Sequence, residues 1–267
     1  MIRAIRAKFM AILTDRVFLA LLVAFYAYTN YMVLAQSGLL QPRPGGEQLN
    51  QVLRYSLLIN NFHISCQTWG LFLPIFLGCR ILADDRVSGQ LYVALTANPR
   101  RARFLLGNWA ALAGITVLVM GVVSLNYWVL AAALEIRTVA SDFFLVMGSI
   151  LMNMVVLLTV TAAAASVGNV MTGVLAGLGA LTLFNLAAYQ SIPFVTGGGF
   201  DLSYPTRRLL MTLCPIKVVY APSAVRLAAI SQYIVTPYLI PNTYAWQAAF
   251  VCLALGAALL AFELRDI

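Results

Sequence analysis

Few side chains in this sequence have the type and spacing to do chemistry. His63 is the one histidine, and it has no acidic neighbour in sequence to orient it. Cys66, Cys79, Cys214 and Cys252 are widely spaced, form no C-x-x-C pair, and read as small apolar packing residues. The chain has no H-E-x-x-H, G-x-S-x-G or G-x-x-x-x-G-K-[ST] stretch, so it carries no metalloprotease or serine-hydrolase motif and no phosphate cradle. Two polar sets remain. In the first, Asn60, His63 and Gln67 are spaced by three and four and share one helical face, with Asn126 and Asn153 in later apolar stretches. Polar groups at membrane depth are costly unless they face protein or a water-filled cavity. These five residues are therefore the candidate substrate path, with hydrogen bonding between helices as the competing reading.

The second set is the stretch from Asp84 to Arg101, within the dense charge of 80–103. Asp84 and Asp85 suit the positive end of a helix dipole. Leu91, Ala94 and Leu95 follow as one apolar stripe, Pro99 stops the helix, and Arg100 and Arg101 suit its C-terminal end. An apolar stripe between charged ends is a docking helix for a soluble partner. A solvated loop carrying inward-side positive charge is the alternative on spacing alone.

The elements that position these residues follow from composition. The 267 residues include 17 Lys+Arg and 9 Asp+Glu; 10% are charged and 62% hydrophobic. Soluble domains carry about 25% charged residues. A soluble globule and a disordered chain are both excluded. The formal charge of +8 would suggest nucleic acid, but it sits in short patches between long apolar runs, so no nucleic-acid partner is expected. No charged residue occurs in 17–42, 55–79, 104–134, 143–200 or 227–262. A bilayer core of roughly 30 Å takes about 20 helical residues, so the longest run accommodates two crossings. The sequence predicts an all-α integral membrane protein with six spans, over about 17–36, 55–82, 105–133, 143–166, 171–190 and 244–262. Val33-Leu34-Ala35 resembles a signal cleavage site, but the first apolar run is too long for one and is expected to be retained.

Residues 1–15 are predicted to form an amphipathic interfacial helix, with Ile2, Ile5, Phe9 and Ile12 on one face and Arg3, Arg6 and Lys8 turned elsewhere. Pro74 is expected to kink span two. With the N-terminus inside, inner segments hold ten Lys/Arg and outer ones seven, so both termini are expected to be cytoplasmic. The segment 191–243 contains six of the ten prolines and two helix candidates too short to span, about 206–213 and 223–234. Its Arg207, Arg208, Lys217 and Arg226 suit anionic headgroups or an acidic extracytoplasmic partner. Gly173-x-x-x-Gly177 lets helices approach closely, either within the chain or between two copies.

This layout resembles the permease subunits of ATP-binding-cassette transporters of the type-2 family. Asp85, Gly89, Leu91, Leu95, Pro99, Arg100 or Arg101 and then Phe104-Leu105-Leu106-Gly107-Asn108 match that family's intracellular loop and the start of its third span. The N-terminal helix, Asp15-Arg16 and the tail Arg265-Asp266-Ile267 match its ends. Asp85 stands where glutamate is usual, Gln90 where threonine is, and Asn108 where lysine is. The resemblance implies a single permease domain, 1–267, in the bacterial inner membrane. It also implies a non-catalytic subunit that binds no cofactor of its own. ATP and Mg belong to partner cytoplasmic ATPase subunits, which meet a coupling loop at 83–104 that includes Asp84, Asp85, Arg86 and Gly89. It further implies a second permease subunit, identical or related, meeting spans one and five through Gly173 and Gly177, and external helices that re-enter the membrane. The charge-free spans favour an apolar or amphipathic substrate. An ion-coupled transporter would need intramembrane acids, which the spans lack; an assembly protein would need no coupling loop.

Overall fold

The computed structural model describes residues 2–35, 47–83, 85, 89, 91, 101–190, 213–215 and 243–264. Every regular element among them is helical. Helix α1 (Ile2–Leu13) is followed by α2 (Arg16–Ala35), α3 (Glu47–Ser65), a π-helical turn (Cys66–Gly70), α4 (Phe72–Cys79), α5 (Arg101–Ala133), α6 (Ala140–Val167), α7 (Val170–Gln190) and α8 (Thr243–Glu263). Among the described residues, four helices are long and apolar enough to cross a membrane: α2 over Arg16–Val33, α5, α6, and α8 over Tyr244–Glu263. The chain is a helical membrane protein. The apolar stretch Val170–Leu183 of α7 is shorter.

Local sequence explains where helices begin and break. Asp15 separates α1 from α2, and its carboxylate accepts the Phe18 backbone N–H at 2.9 Å, capping α2. The second apolar stretch is not one kinked helix. Its irregularity lies at Cys66–Gly70 rather than at Pro74, which sits in the first turn of α4. A proline ring collides with the carbonyl four residues earlier, and that residue is Gly70, where the π turn ends. The chain thus accommodates Pro74 by rebuilding the preceding turn. Between α5 and α6, Glu135 takes the left-handed φ of 53°. The Ile136 N–H donates to the Ala131 carbonyl at 2.9 Å and the Glu135 N–H to Ala132 at 3.1 Å. This is a Schellman stop with glutamate in the position that usually takes glycine.

Helix α6 is the hub, packed against α4, α5, α7 and α8. Small residues let the backbones come close. A Cβ added to Gly78 would meet Thr161 Cβ at 2.7 Å, and one added to Gly177 would meet Thr161 Oγ1 at 2.6 Å and Ile75 at 2.8 Å. One added to Gly173 would meet Ala165 at 2.8 Å. The Gly173-x-x-x-Gly177 face, expected as a dimer contact, is therefore occupied within this chain by α4 and α6. Toward the other end of the bundle, Tyr127 stacks on Phe143 at 4.6 Å and meets Phe62 edge-on at 5.1 Å. Cys66, Cys79 and Cys214 are buried, and Cys252 is exposed.

The N-terminal helix differs from expectation in one respect. Its apolar stripe faces protein: Ile12 is buried, and the Phe9 ring lies against Gly114 of α5. Lys8 does not face outward as Arg6 does. It is buried on the inward side, because it lies three residues after Ile5 and four before Ile12, on the same helical face.

Candidate functional site: an ion-pair node at one end of the bundle

Five polar residues from five parts of the chain stand at the end of the bundle that carries α1, in two ion-paired sets. The Lys8 ammonium donates to Asp85 Oδ2 at 3.3 Å, with side chains only 6% and 16% exposed. The Asn108 amide donates to the same oxygen at 3.3 Å and to the Ile81 carbonyl at 3.3 Å. Arg80 pairs with Asp15 Oδ2 at 2.5 Å. The Phe18 backbone N–H, and then the Arg80 guanidinium, hold the Asp15 carboxyl below its ordinary value. The node thus links α1, the start of α2, the end of α4, the loop beyond it and the first turns of α5. At the same end, the Glu263 carboxylate of α8 accepts the Ala102 N–H of α5 at 3.3 Å.

Charge and shape at the node have a simple origin. Asp15 is a helix cap and Arg80 follows a helix end, so both stand where chains turn. Asp85 offers one oxygen to two donors, which satisfies a partly buried carboxylate by charge-assisted bonds. Beyond it Gly89 is exposed with φ of 71°, a left-handed conformation in which a side chain is strained. Leu91 is buried against the core. Arg101 begins α5. Asp84, Arg86, Leu95, Pro99 and Arg100 lie outside the described residues.

The described contacts of the candidate substrate-path residues fall into three groups. The Gln67 amide and His63 Nε2 lie 3.4 Å apart, where the π turn begins. Asn60 lies in α3, with its side chain outside the described set. Asn126 accepts the Tyr26 hydroxyl at 2.8 Å and donates to Asn30 at 3.2 Å, tying α5 to α2. Asn153 accepts from Gln247 at 2.8 Å, tying α6 to α8, and the same Gln247 nitrogen donates to the Pro215 carbonyl at 2.8 Å. The Asn126 and Asn153 contacts join helices, the competing reading stated for these residues, whereas the His63–Gln67 contact is local to one turn.

Sequence reasoning missed an assembly at the opposite end. Gln51 accepts the Arg137 N–H and donates to the Glu135 carbonyl, Arg54 donates to the Leu134 carbonyl, and Tyr55 donates to the Val139 carbonyl. Three residues within five positions of α3 thus clamp the α5–α6 turn. Arg54 and Asp142 are both buried there. Their position just outside charge-free runs made them look like solvated flanks; only tertiary contact shows otherwise.

No protein-family model, curated protein or solved structure matches this chain.

Proposed function

We propose that this chain is the membrane-spanning permease subunit of an ATP-driven exporter, moving an apolar or amphipathic substrate with energy from a separate cytoplasmic ATPase that holds ATP and Mg. The observation that carries the reading is the node at the α1 end, where the loop after α4 is fastened ionically to the N-terminal helix. A loop between two apolar segments needs no such fastening to connect them. It needs it if force applied there must reach the bundle. The sequence supplies no phosphate cradle, so the force would come from another chain.

Six crossings fit this reading: α2, the α3–α4 rod, α5, α6, α7 and α8. The α1 end is then cytoplasmic, consistent with the positive bias of the inner segments. The tie from Gln247 to Pro215 supports re-entry of the segment before α8, since non-helical backbone at membrane depth is tolerated where protein satisfies it. The helix candidates of that segment lie outside the described residues, apart from Leu213. A second permease copy remains part of the proposal. It would use a face other than Gly173 and Gly177.

The test is co-purification from native membranes, followed by ATP hydrolysis in liposomes. An ATPase subunit that co-purifies and hydrolyses ATP faster with amphipathic compounds supports the reading. A chain that purifies without an ATPase and transports under an ion gradient overturns it.

A further inference from the structure

The loop residue Asp85 was expected to meet the ATPase. Its carboxylate is instead engaged inside this chain, with Lys8 and Asn108 on one oxygen at 3.3 Å each. Lys8 is 7% exposed and Asn108 3% exposed, so neither is a surface group that happens to lie near an acid. We propose that Asp85 is a positioning residue rather than a docking residue: it latches α1 to the loop, so that a displacement of the loop moves α1.

The geometry gives the latch a definite output. Helix α1 lies against α5, with the Phe9 ring at Gly114 and Ile12 buried. Its end runs through Thr14, whose hydroxyl donates to the Met10 carbonyl at 2.9 Å, directly into Asp15. Asp15 caps α2 and pairs with Arg80, the residue that ends α4. The loop is therefore attached to α2 twice, through Lys8 and α1 and through Arg80. Two attachments transmit a displacement; one alone would let it pivot. Asp85 and Asp15 perform similar tasks, each pairing with a cation and also accepting an N–H. Among the described loop residues, Gly89 is the exposed one, with a left-handed backbone, and is where the ATPase would meet the chain.

The inference rests on the exporter reading for its consequence, but the latch itself is testable without it. The variants are Lys8→Asp, Asp85→Lys and the double swap. In the isolated chain in detergent, each single variant is expected to lower the melting temperature and the swap to restore most of it, because reversed charges rebuild the pair. Additive losses in the double variant overturn the latch whether or not any ATPase exists. In the complex with the co-purified ATPase, each single variant is expected to slow ATP hydrolysis by about fivefold or more, the range of ordinary site-to-site coupling, and the swap to recover it. If the swap regains melting temperature while hydrolysis stays as low as in Asp85→Lys, Asp85 meets the ATPase directly and the positioning role is overturned. Absence of a co-purifying ATPase counts against the exporter reading and leaves the melting comparison to decide the latch.

Discussion

A single carboxylate illustrates how much one residue holds at the node. Asp15 stops α1, caps α2 through the Phe18 N–H and pairs with Arg80. The two roles separate by substitution. Asparagine caps helices about as well as aspartate, whereas alanine costs about 1 kcal/mol. Asp15→Asn should therefore lose only the charge pairing, and Asp15→Ala should melt lower still. The pH dependence follows from the direction of the carboxyl's shift. Its folded-state value lies below the ordinary 3.8, so its contribution is fully present above about pH 4 and is lost as pH falls through the lower folded value. The melting difference between the wild-type chain and Asp15→Asn should be constant from about pH 5 to pH 8 and shrink at the acid end. A difference that grows on acidification would show that the carboxylate is not the stabilising form. The sequence exposed half of this. A lone acid between two apolar periodic stretches marks a cap, and its Arg80 partner 65 residues away does not show. Lys8 differs: its spacing from Ile5 and Ile12 marks the buried face, while its charge points to solvent.

At the scale of elements, the helices were legible and their pairings were not. Apolar runs bounded by charge or glycine gave α5, α6, α7 and α8 to within a few residues, because a bilayer demands unbroken apolar length. Nothing in a run says which face meets which neighbour. Gly173 and Gly177 make the point: their spacing indicates close approach, and only the fold identifies α4 and α6 as what approaches. Substitution separates the two readings. Gly173→Ala and Gly177→Ala should each destabilise the isolated chain, since the added methyl would lie under 3.0 Å from Ala165, Thr161 or Ile75. Overpacking of this kind costs about 1–3 kcal/mol. Gly179→Ala, with nothing within 4 Å, is the control and should be neutral or slightly stabilising. Detergent melting curves for the three variants decide it. If Gly177→Ala melts like the wild-type chain yet loses a dimer band on cross-linking, those glycines belong to an interface between copies.

Across the whole molecule, helix lengths carry a consequence that no single element shows. Glu263 at the end of α8 meets Ala102 at the start of α5, so the two helices are level there. Helix α5 has 33 residues and α8 has 21. At 1.5 Å per residue α8 therefore ends roughly 18 Å short of the far end of α5. The cross-links agree: Tyr244, in the first turn of α8, donates to the Leu145 carbonyl of α6, and Gln247 reaches Asn153 and Pro215. Gln247 lies about 24 Å from the Glu263 end, a depth inside the bundle rather than at its rim. Cys214, buried next to Pro215, is then a native reporter of depth. In a chain whose other cysteines are alanine, Cys214 should resist a membrane-impermeant maleimide added to intact cells. A cysteine replacing Glu135, in the clamped turn at the far end, should react from outside. One replacing Leu264, which is 83% exposed beside Glu263, should react only after permeabilisation. Labelling of Cys214 as fast as the Glu135→Cys variant would place the segment before α8 outside the bilayer, and outside-reactive Leu264→Cys would invert the orientation on which the exporter reading depends.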